Sequence, residues 1–474
     1  MNKTKKFFVT TPIYYINDIP HIGHAYATFT ADILARYHRL LGDDTFFLTG
    51  TDEHAQKTVL AAEKSGKDIQ VYTNELAKKW QETWKKLGIS NDDFIRTTEP
   101  RHKKIVTEIF EKIDRSGDLY KGRYEGLYCV GHEAFLKKED LDNQGICPDH
   151  KTKPDHIVEE NYFFKLSKYQ GLLLKHLKEN PGFVQPTERY NEVVKFIEGG
   201  LQDISVTRDT QKWGIPAPND PSQVIYVWFD ALINYISADP KWWPADLHII
   251  GKDILRFHAV IWPAMLLSAG YKLPKKIFAH GFFTIDGQKI SKSLGNVIDP
   301  IAISDKYGTD ALRYYLFKEI PFGNDGDFSF NHLEEIYNAD LANGLGNLVA
   351  RIARLCENSN KIYPIHSGKN PFIKPASGRE KRIVDYLKKL YFKDALDLIW
   401  LEISEANQLI NQKRPWELLK SDKAQVEVIL QNLVIKITRI ALLLEPFLPE
   451  TSEKIKQQFL QKKITSAAPL FPRK

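Results

Sequence analysis

The sequence predicts an α/β protein whose parallel sheet is followed by a purely helical region, and two observations carry this prediction. In the first 115 residues, β-rich runs at 7–11 and 45–49 alternate with helical stretches at 25–41 and 69–87. This order is typical of parallel strands joined by crossover helices. From residue 338 onward, apolar residues repeat with helical spacing and no strand-like run separates them. A chain of 474 residues with 43% apolar side chains suits two to four domains.

The second half of the sheet is expected after an inserted domain. Strand-like runs return at 224–229, 247–250 and 277–280. Before them lies a region rich in Gly, Tyr and charge, and it closes with the proline-rich segment 215–221, which is typical of a linker. The sequence therefore predicts five segments: a sheet domain in two halves at 1–115 and 223–284, an insertion at 116–222, a linker at 285–337 and a helical domain at 338–474.

The last two segments contain a hairpin and a set of helices. Asp286-Gly287, preceded by the apolar run 282–285, is the residue pair of a two-residue hairpin turn. Helical periodicity predicts helices at 339–357, 377–391, 393–413, 415–420 and 426–444.

Composition argues against a disulfide-rich protein and against a membrane protein. Three cysteines are too few for a disulfide framework in a chain of this length. The longest apolar region, 429–448, is interrupted by Lys436, Arg439 and Glu445, so no membrane span is expected. The apolar stretch after the basic start of the chain is too short and too polar for a secretion signal. We therefore expect a cytoplasmic protein.

Positive charge is concentrated in the helical region. The whole chain carries a net charge of +6, yet residues 338–474 hold 23 lysines and arginines against 14 aspartates and glutamates. Such asymmetry suits a polyanionic partner held partly by the C-terminal domain, although a basic helical bundle can also simply be well solvated.

A phosphate-binding motif is expected where the first strand meets the first helix. His21-Ile22-Gly23-His24 stands at the predicted helix N-terminus, whose N–H groups and partial positive charge attract phosphate. Gly23 leaves room for a nucleotide, and two imidazoles three residues apart can donate to phosphate oxygens. A metal-binding histidine pair or two ordinary surface histidines are the alternatives.

A second basic motif follows the predicted hairpin. Lys289-Ile290-Ser291-Lys292-Ser293 places two ammonium groups three residues apart on a Ser-rich loop, where they can close over a triphosphate. Taken alone, the segment could be a solvated basic turn. The presence of both motifs in this order favours ATP chemistry.

These two motifs resemble the HIGH and KMSKS signatures of class I aminoacyl-tRNA synthetases, with Ile290 in place of the usual Met. Five further stretches resemble methionyl-tRNA synthetases in particular, and the resemblance spans nearly the whole chain: Thr10 to Tyr15, Gly50 to His54, Val227 to Leu232, Gly251 to His258 and Asn338 to Asn343. The resemblance implies a Rossmann-like parallel sheet core with an inserted connective domain bearing a zinc knuckle, and a C-terminal α-helical anticodon-binding bundle.

The resemblance also implies a reaction and its participants. ATP and Mg²⁺ would activate L-methionine to methionyl-adenylate with release of pyrophosphate, and methionine would then pass to the 3′ end of tRNA(Met), including the initiator tRNA. A carboxylate is already a nucleophile at neutral pH, so we expect positioning and charge stabilisation rather than a catalytic base. By resemblance the phosphates are held by His21, His24, Lys289 and Lys292, and the rest of the ATP site is Gly23, Asp253, Ser291 and Ser293, with Asp253 on the ribose.

The methionine site is likewise carried over by resemblance. Asp52 follows a predicted strand and suits the substrate ammonium, although it could also cap a helix that begins near Glu53. Aromatic edges favour a thioether, but without the family Trp228, Phe229 and Phe257 would be interpreted as core aromatics. The positions implied for methionine are Pro12, Ile13, Tyr15, Asp52, Trp228, Ala231, Leu232, Tyr235, Phe257 and His258.

A zinc site is expected within the insertion. Cys129-x-x-His132 and Cys147-x-x-His150 have the spacing of four tetrahedral ligands, with fourteen residues between the pairs. His132 stands where related synthetases carry Cys, so a metal-free knob is the alternative to structural Zn²⁺.

An anticodon-reading set is expected in the helical domain. Asn347 and Arg351 lie four residues apart on one helix face, and Trp416 follows Pro415 at a predicted helix start. By resemblance these three residues read the CAU anticodon, with Trp stacking on a base and the amide and guanidinium bonding base edges. Spacing alone would favour purely structural roles for them.

Two competing functions and one assembly state complete the expectations. A class I ligase for another amino acid is disfavoured because ligases for large aliphatic residues need long editing insertions and a cysteine ligase binds its substrate through zinc in the core. A non-catalytic RNA-binding relative is disfavoured by the presence of both motifs. Because the chain ends after the helical domain without an appended dimerisation module, we expect a monomer.

Overall fold

The computed structural model describes residues 4–149, 151–285, 287–289, 297–363 and 370–474. The chain forms two compact units. The sheet unit comprises Lys6–Pro20 and Thr45–His280, and the helical unit comprises mainly His21–Asp44 and Gly281–Lys474. The five-part division expected from the sequence is a division by function and stays a prediction.

The sheet unit is built on a six-stranded sheet in the order β3-β2-β1-β12-β13-β7. The recorded registers of four neighbouring pairs, β2–β3, β1–β12, β12–β13 and β13–β7, are all parallel, as the strand and helix alternation predicts. Its strands are β1 Lys6–Tyr15, β2 Asp44–Asp52, β3 Asp93–Arg96, β7 Val184–Gln185, β12 Leu247–Gly251 and β13 Ile277–His280.

One predicted strand of this sheet is wrong. Residues 224–229 do not join the parallel sheet: Val224 and Ile225 end β11 (Asp220–Ile225) in a small antiparallel sheet with β9 (Thr207–Arg208) and β10 (Pro216–Ala217). Residues 227–231 then form a helix. Instead, the edge strand comes from Val184–Gln185, two residues within the predicted insertion.

A four-stranded antiparallel sheet forms most of the insertion, in the order β5-β4-β6-β8. Its longest pairing joins β4 to β6 over ten residue pairs, from Leu119–Phe164 to Tyr128–Asp155. The strands are β4 Leu119–Cys129, β5 Ala134–Leu136, β6 Asp155–Phe164 and β8 Ile204–Ser205.

Helices cover the parallel sheet and bury one continuous apolar core from Phe8 to Ala279. A π-helical turn, Phe257–Ile261, directly precedes the last helix of this unit, which begins at Trp262. The helices of the sheet unit are α2 Gln56–Ser65, α3 Ile69–Lys86, α4 Pro100–Arg115, α5 Gln170–Glu179, α6 Thr187–Glu198, α7 Val227–Ala231, α8 Asn234–Ser237 and α9 Trp262–Ser268.

The helical unit contains helix α1, a small sheet and the C-terminal helices. The predicted hairpin is confirmed: β14 (Phe283–Ile285) pairs antiparallel with β15 (Gln288–Lys289), and β16 (Gly326–Phe328) pairs parallel with β14. A π-helical stretch, Tyr337–Gly346, stands where the sequence predicts ordinary helix, and α18 was not predicted. The helices are α1 Ile22–Leu40, α10 Pro300–Tyr307, α11 Thr309–Glu319, α12 Phe330–Ile336, α13 Asn347–Ser359, α14 Gly378–Lys388, α15 Phe392–Lys413, α16 Pro415–Ser421, α17 Lys423–Leu444 and α18 Pro449–Phe459.

Candidate functional site

The expected substrate residues of the sheet unit lie at the carboxyl ends of three neighbouring strands. β1 ends at Tyr15, β2 ends at Asp52, and β12 ends at Gly251, two residues before Asp253. The strand order runs outward in opposite directions from β1 and β12. Open α/β sheets bind ligands at such a switch point, outside the carboxyl ends of the strands.

Asp52 is a buried carboxylate at the end of β2. Its side chain is 3% exposed, and Oδ1 accepts a hydrogen bond from the His54 N–H at 3.2 Å. Burial raises the pKa of Asp52 well above its ordinary value, and the negative charge of Asp230 raises it further. Helix α2 begins later, at Gln56, and Ala55 occupies its N-cap, so the expected alternative role as a helix cap does not apply.

The negative charge near Asp52 belongs to Asp230, a buried carboxylate that is hydrogen-bonded to two imidazoles. Asp230 accepts at 2.6 Å from His54 Nδ1 and at 2.6 Å from His102 Nε2, and His102 Nδ1 lies 2.7 Å from Ser237 Oγ. Burial alone would raise the pKa of Asp230, but the two imidazoles outweigh it and lower the pKa to about 2. Asp230 is therefore ionised at neutral pH.

An aromatic group, Tyr15, Trp228 and Phe257, stands beside these strand ends. The Trp228 and Phe257 rings stack with centroids 3.8 Å apart and planes 9° apart, and Tyr15 meets Trp228 edge-on with centroids 6.1 Å apart. Trp228 lies on α7, and Phe257 opens the π-helical turn. π-Helical turns often occur at functional sites. The aromatic rings were expected from the sequence, but their stacking was not.

His258 is held as a neutral imidazole next to the aromatic group. Its Nδ1 donates to the Ile254 carbonyl at 3.0 Å, so Nε2 accepts from the Tyr235 hydroxyl at 2.7 Å. Burial lowers the pKa of His258 to about 4. The remaining expected methionine residues lie on the same elements: Pro12 is buried and Ile13 half-buried near the end of β1, and Ala231 and Leu232 are buried at the end of α7.

Asp253 lies on a short 3₁₀ turn, Lys252–Ile254, directly after β12. Water reaches its side chain, yet the surrounding protein atoms raise its pKa above the ordinary value. A Cβ added at Gly251 would lie 2.5 Å from Asp253 Oδ1, so the absence of a side chain at Gly251 is what admits this carboxylate. The sequence motif contains Gly251, but only the structure shows why a residue without a side chain is needed there.

In the helical unit, His21 and His24 cap the N-terminus of α1. His21 Nδ1 accepts from the Gly23 N–H at 3.1 Å, and His24 Nδ1 accepts from the His21 N–H at 3.1 Å. The two rings stack with centroids 3.6 Å apart. In the neutral rings the hydrogen is then on Nε2, which is the donor atom that each imidazole presents.

The capping arrangement differs from the expectation in one respect. The N–H groups of His21, Ile22 and Gly23 are already hydrogen-bonded within the protein, the second of them to the Ile298 carbonyl at 3.1 Å. These three backbone groups are therefore already paired and do not form the anion site that the sequence predicts at this helix N-terminus. A Cβ at Gly23 would lie 3.0 Å from His21 Cε1, so Gly23 makes room for the capping ring.

The second basic motif is described only at its start. Lys289 ends β15 and pairs with Thr284, but its side chain is outside the described part of the structure. Ser291, Lys292 and Ser293 also lie outside the described residues.

Three of the four expected metal ligands converge in the insertion. The ligand atoms of Cys129, His132 and Cys147 all lie within 4.8 Å of one another, and neither cysteine forms a disulfide. His132 Nδ1 lies 3.6 Å from Cys147 Sγ, and its Nε2 lies 3.2 Å from Asp149 Oδ2. His150 lies outside the described residues.

The expected anticodon residues lie on two helices that contact each other. Asn347 and Arg351 lie one turn apart on α13, and Arg351 Cζ lies 5.8 Å from the ring centre of Trp416 on α16. Trp416 is 43% exposed, which is unusual for so large an apolar side chain, and Asn347 is exposed. Trp416 is therefore not a core residue.

Sequence reasoning did not assign roles to several residues that shape these groups. Gly50 is required because an added Cβ would lie 2.0 Å from the Ile95 carbonyl oxygen on the neighbouring strand. Lys57 places its ammonium 3.4 Å from the centre of the Tyr15 ring. Glu53, also buried, holds Arg96 through two hydrogen bonds at 2.6 and 2.9 Å. Gly50 and Glu53 lie within the Gly50–His54 stretch that the sequence singled out, but nothing in the sequence pointed to Lys57.

Comparison with known proteins gives consistent matches. The family model described as tRNA synthetases class I (M) matches residues 7–158 and 149–353. A methionine–tRNA ligase of Thermotoga maritima is 49% identical over 95% of this chain and 74% of its own length. That of Nostoc sp. is 44% identical over 97% of this chain and 91% of its own length.

Solved structures agree with these relatives. A Mycobacterium tuberculosis methionyl-tRNA synthetase in complex with methionyl-adenylate has a TM-score of 0.92 and 36% identity, covering 99% of this chain and 100% of that chain. The apo form of that enzyme has a TM-score of 0.84 and 34% identity, covering 99% and 98%.

Proposed function

The chain belongs to the methionyl-tRNA synthetase family and catalyses methionine–tRNA ligation, and from this premise we propose how its residues divide the work. ATP and L-methionine react to methionyl-adenylate and pyrophosphate, and methionine is then transferred to tRNA. ATP enters as its magnesium complex, in which Mg²⁺ neutralises charge on the phosphate oxygens.

Asp52 binds the ammonium group of methionine. The observation that carries this proposal is a buried carboxylate whose pKa is raised, at the carboxyl end of a central strand. A bound ammonium supplies the charge that such a carboxylate favours. The aromatic group and the neutral His258 surround the thioether, because sulfur contacts aromatic edges favourably, and Pro12, Ile13, Ala231, Leu232 and Tyr235 complete the binding site.

His21 and His24 donate from Nε2 to the phosphates of ATP, and Lys289 and Lys292 stabilise the charge that develops on pyrophosphate. Gly23, Ser291 and Ser293 belong to the same ATP site, and Asp253 accepts from the ribose hydroxyls. One carboxylate oxygen of methionine attacks the α-phosphorus, the bond to the β-phosphate oxygen breaks, and pyrophosphate leaves. No general base is needed, since the carboxylate is ionised at neutral pH.

Methionine-dependent exchange of pyrophosphate into ATP tests this division. We expect exchange with methionine and not with leucine, isoleucine, valine or cysteine. His21→Ala and His24→Ala should each lower the exchange rate by about 10²–10³-fold, the usual effect of removing one charge-stabilising donor. His156→Ala, which changes a half-exposed histidine of the insertion, is the matched control and should leave the rate unchanged. Rates within a few-fold of wild type for both catalytic variants would refute the assignment.

Cys129, His132, Cys147 and His150 hold a structural Zn²⁺. Two thiols and an imidazole form a suitable donor set, and in a tetrahedral zinc site the S···N edge is about 3.6 Å, as between Cys147 Sγ and His132 Nδ1. The contact of His132 Nε2 with Asp149 is the kind of partner that orients a ligating imidazole. Metal analysis should find one zinc per chain, lost in Cys147→Ser, and a zinc-free wild type would contradict the proposal.

The tRNA is tRNA(Met), including the initiator, which shares the CAU anticodon with the elongator. Trp416 stacks on an anticodon base, and Asn347 and Arg351 bond base edges. The net positive charge of the helical region supports a polyanionic partner there.

We also propose that the enzyme acts as a monomer in the cytoplasm, where ATP and tRNA are available. Among the residues that the structure describes, no helix is both long and apolar enough to cross a bilayer. Sedimentation of the purified chain should give the mass of one chain.

A further inference from the structure

Glu133 follows the ligand His132 directly and is completely buried. Its φ is 51°, in the left-handed region that few non-glycine residues adopt. Its carboxylate accepts at 2.8 Å from the Lys57 N–H through Oε1 and at 2.7 Å from the Tyr128 hydroxyl through Oε2. The residue at which the metal-binding turn ends therefore places a buried carboxyl group against the first turn of α2.

The Lys57 N–H belongs to the first turn of α2, which has no cap of its own. Ala55 occupies the N-cap and offers no side-chain acceptor, and the first turn contains no acidic residue. A carboxylate at a helix N-terminus satisfies an otherwise unpaired N–H and complements the helix dipole. Glu133, 76 residues further along the chain, supplies the acceptor for the Lys57 N–H and places a carboxyl group at the N-terminal end of α2.

Glu133 contacts the starts of two helices, α2 and α7, and both border the proposed methionine site. α2 begins four residues after Asp52, and Lys57 places its ammonium 3.4 Å from the centre of the Tyr15 ring. The backbone carbonyl of Glu133 accepts from the hydroxyl of Tyr226, the residue that caps α7, and α7 carries Trp228. One residue thus holds the starts of the two helices that flank the aromatic group.

We propose that Glu133 is a positioning residue that couples the metal-binding turn of the insertion to the methionine site. It fixes α2 and α7, and through them the Lys57–Tyr15 contact and Trp228. This inference rests on the proposed methionine and zinc sites.

Methionine binding by the full chain tests the inference. Glu133→Ala should raise the Kd for methionine, measured by equilibrium dialysis, by about ten-fold, as expected for the loss of a helix cap and a buried hydrogen bond. The KM for ATP and the kcat of pyrophosphate exchange should change by less than about two-fold. Glu133→Gln, which keeps one oxygen acceptor, should recover part of the affinity, and Tyr128→Phe should weaken binding slightly. Glu139→Ala, an exposed glutamate of the same insertion, is the matched control.

The outcomes separate this inference from the proposed function. If Trp228→Ala leaves methionine binding unchanged, the methionine site itself is wrong. If Trp228→Ala weakens binding but folded Glu133→Ala does not, or if Glu133→Ala raises the KM for ATP as much as the Kd for methionine, only the positioning role is overturned. Where Glu133→Ala does not fold, Glu133→Gln and Tyr128→Phe decide by the same criteria.

A second arm tests the coupling to the metal. Removing zinc with a chelator should weaken methionine binding by wild-type protein but have little further effect in Glu133→Ala, because both changes break the same connection. Additive effects of the two changes would contradict the coupling.

Discussion

At the scale of single residues, the carboxylate of Asp52 lies in surroundings that disfavour its charge. Burial raises its pKa, Asp230 and Glu133 add to the increase, and the His54 N–H and Lys57 oppose it. Asp230 cannot relieve this by taking up a proton, because two imidazoles keep it ionised. Under the proposed assignment, the substrate ammonium is the group that makes an ionised Asp52 favourable, so methionine binding and deprotonation of Asp52 would be linked.

This linkage predicts a pH dependence of methionine binding. The ammonium stays charged below about pH 8, whereas Asp52 becomes protonated as the pH falls through its raised pKa, so the affinity should decrease towards acidic pH. Asp52→Asn should raise the Kd by about two orders of magnitude, the effect of losing one partner of a buried charge pair, and should flatten the profile. Calorimetric titrations between pH 5.5 and 8 measure both effects. Parallel profiles for wild type and variant would exclude Asp52 as the titrating group.

At the scale of elements, the sequence predicted the parallel sheet and most helices but misplaced one run. Residues 224–229 are Val, Ile, Tyr, Val, Trp and Phe, a composition that favours a strand. Three-dimensional packing splits them between β11 and α7, since a short apolar run without alternation does not distinguish strand from helix. The error matters because the helical turn is what presents Trp228 to Phe257.

Sequence reasoning about the candidate site is limited in a similar way, because it finds residues within short motifs but not partners that only the fold brings together. The sequence assigned roles to Asp52, Asp253 and Trp228 because each lies in a short contiguous motif, and these roles stay predictions. Glu133 received no role, because its partner Lys57 is 76 residues away and only the fold brings them together. The caps of α1 form an intermediate case: the sequence singled out both histidines, but not that their Nδ1 atoms accept hydrogen bonds from the backbone at the start of the helix.

The contact between helices α13 and α16 predicts a variant that affects tRNA charging alone. Trp416 is exposed and Arg351 lies over its ring, so under the proposed role the indole is available to stack on an unstacked anticodon base. Trp416→Ala should lower kcat/KM for tRNA charging by about 10–100-fold, the usual value of one base–aromatic stack, and leave pyrophosphate exchange unchanged. Tyr391→Ala removes another exposed aromatic side chain of the helical unit and is the control. Equal loss of charging and exchange would point to a structural role for Trp416.

At the scale of the whole molecule, a buried arginine connects distant parts of the helical unit. Arg313 on α11 is 1% exposed, and its Nη1 lies 2.8 Å from Asp32 Oδ2 on α1, the helix that begins with His21 and His24. The same guanidinium donates to the carbonyls of Phe447 at 2.6 Å and Pro446 at 3.0 Å, between α17 and α18. One side chain thus links the start of the chain to its last helices.

Removing this charge should destabilise the protein strongly. Arg313→Met keeps much of the side-chain volume but removes one of the two arginines paired with buried Asp32, leaving Arg36 at 2.8 Å as the other, and it takes the donor away from the Phe447 and Pro446 carbonyls. Loss of a buried charge partner together with these hydrogen bonds should cost about 2–5 kcal/mol. The urea midpoint of the helical unit should fall accordingly. The double variant with Asp32→Asn should be less destabilised than the sum of the two single variants, because both substitutions break the same ion pair between Arg313 and Asp32. Lys104→Met, which removes one partner of an exposed pair with Glu108, should hardly change the midpoint. If Arg313→Met is no more destabilising than Lys104→Met, the buried ion pair does not hold these helices together.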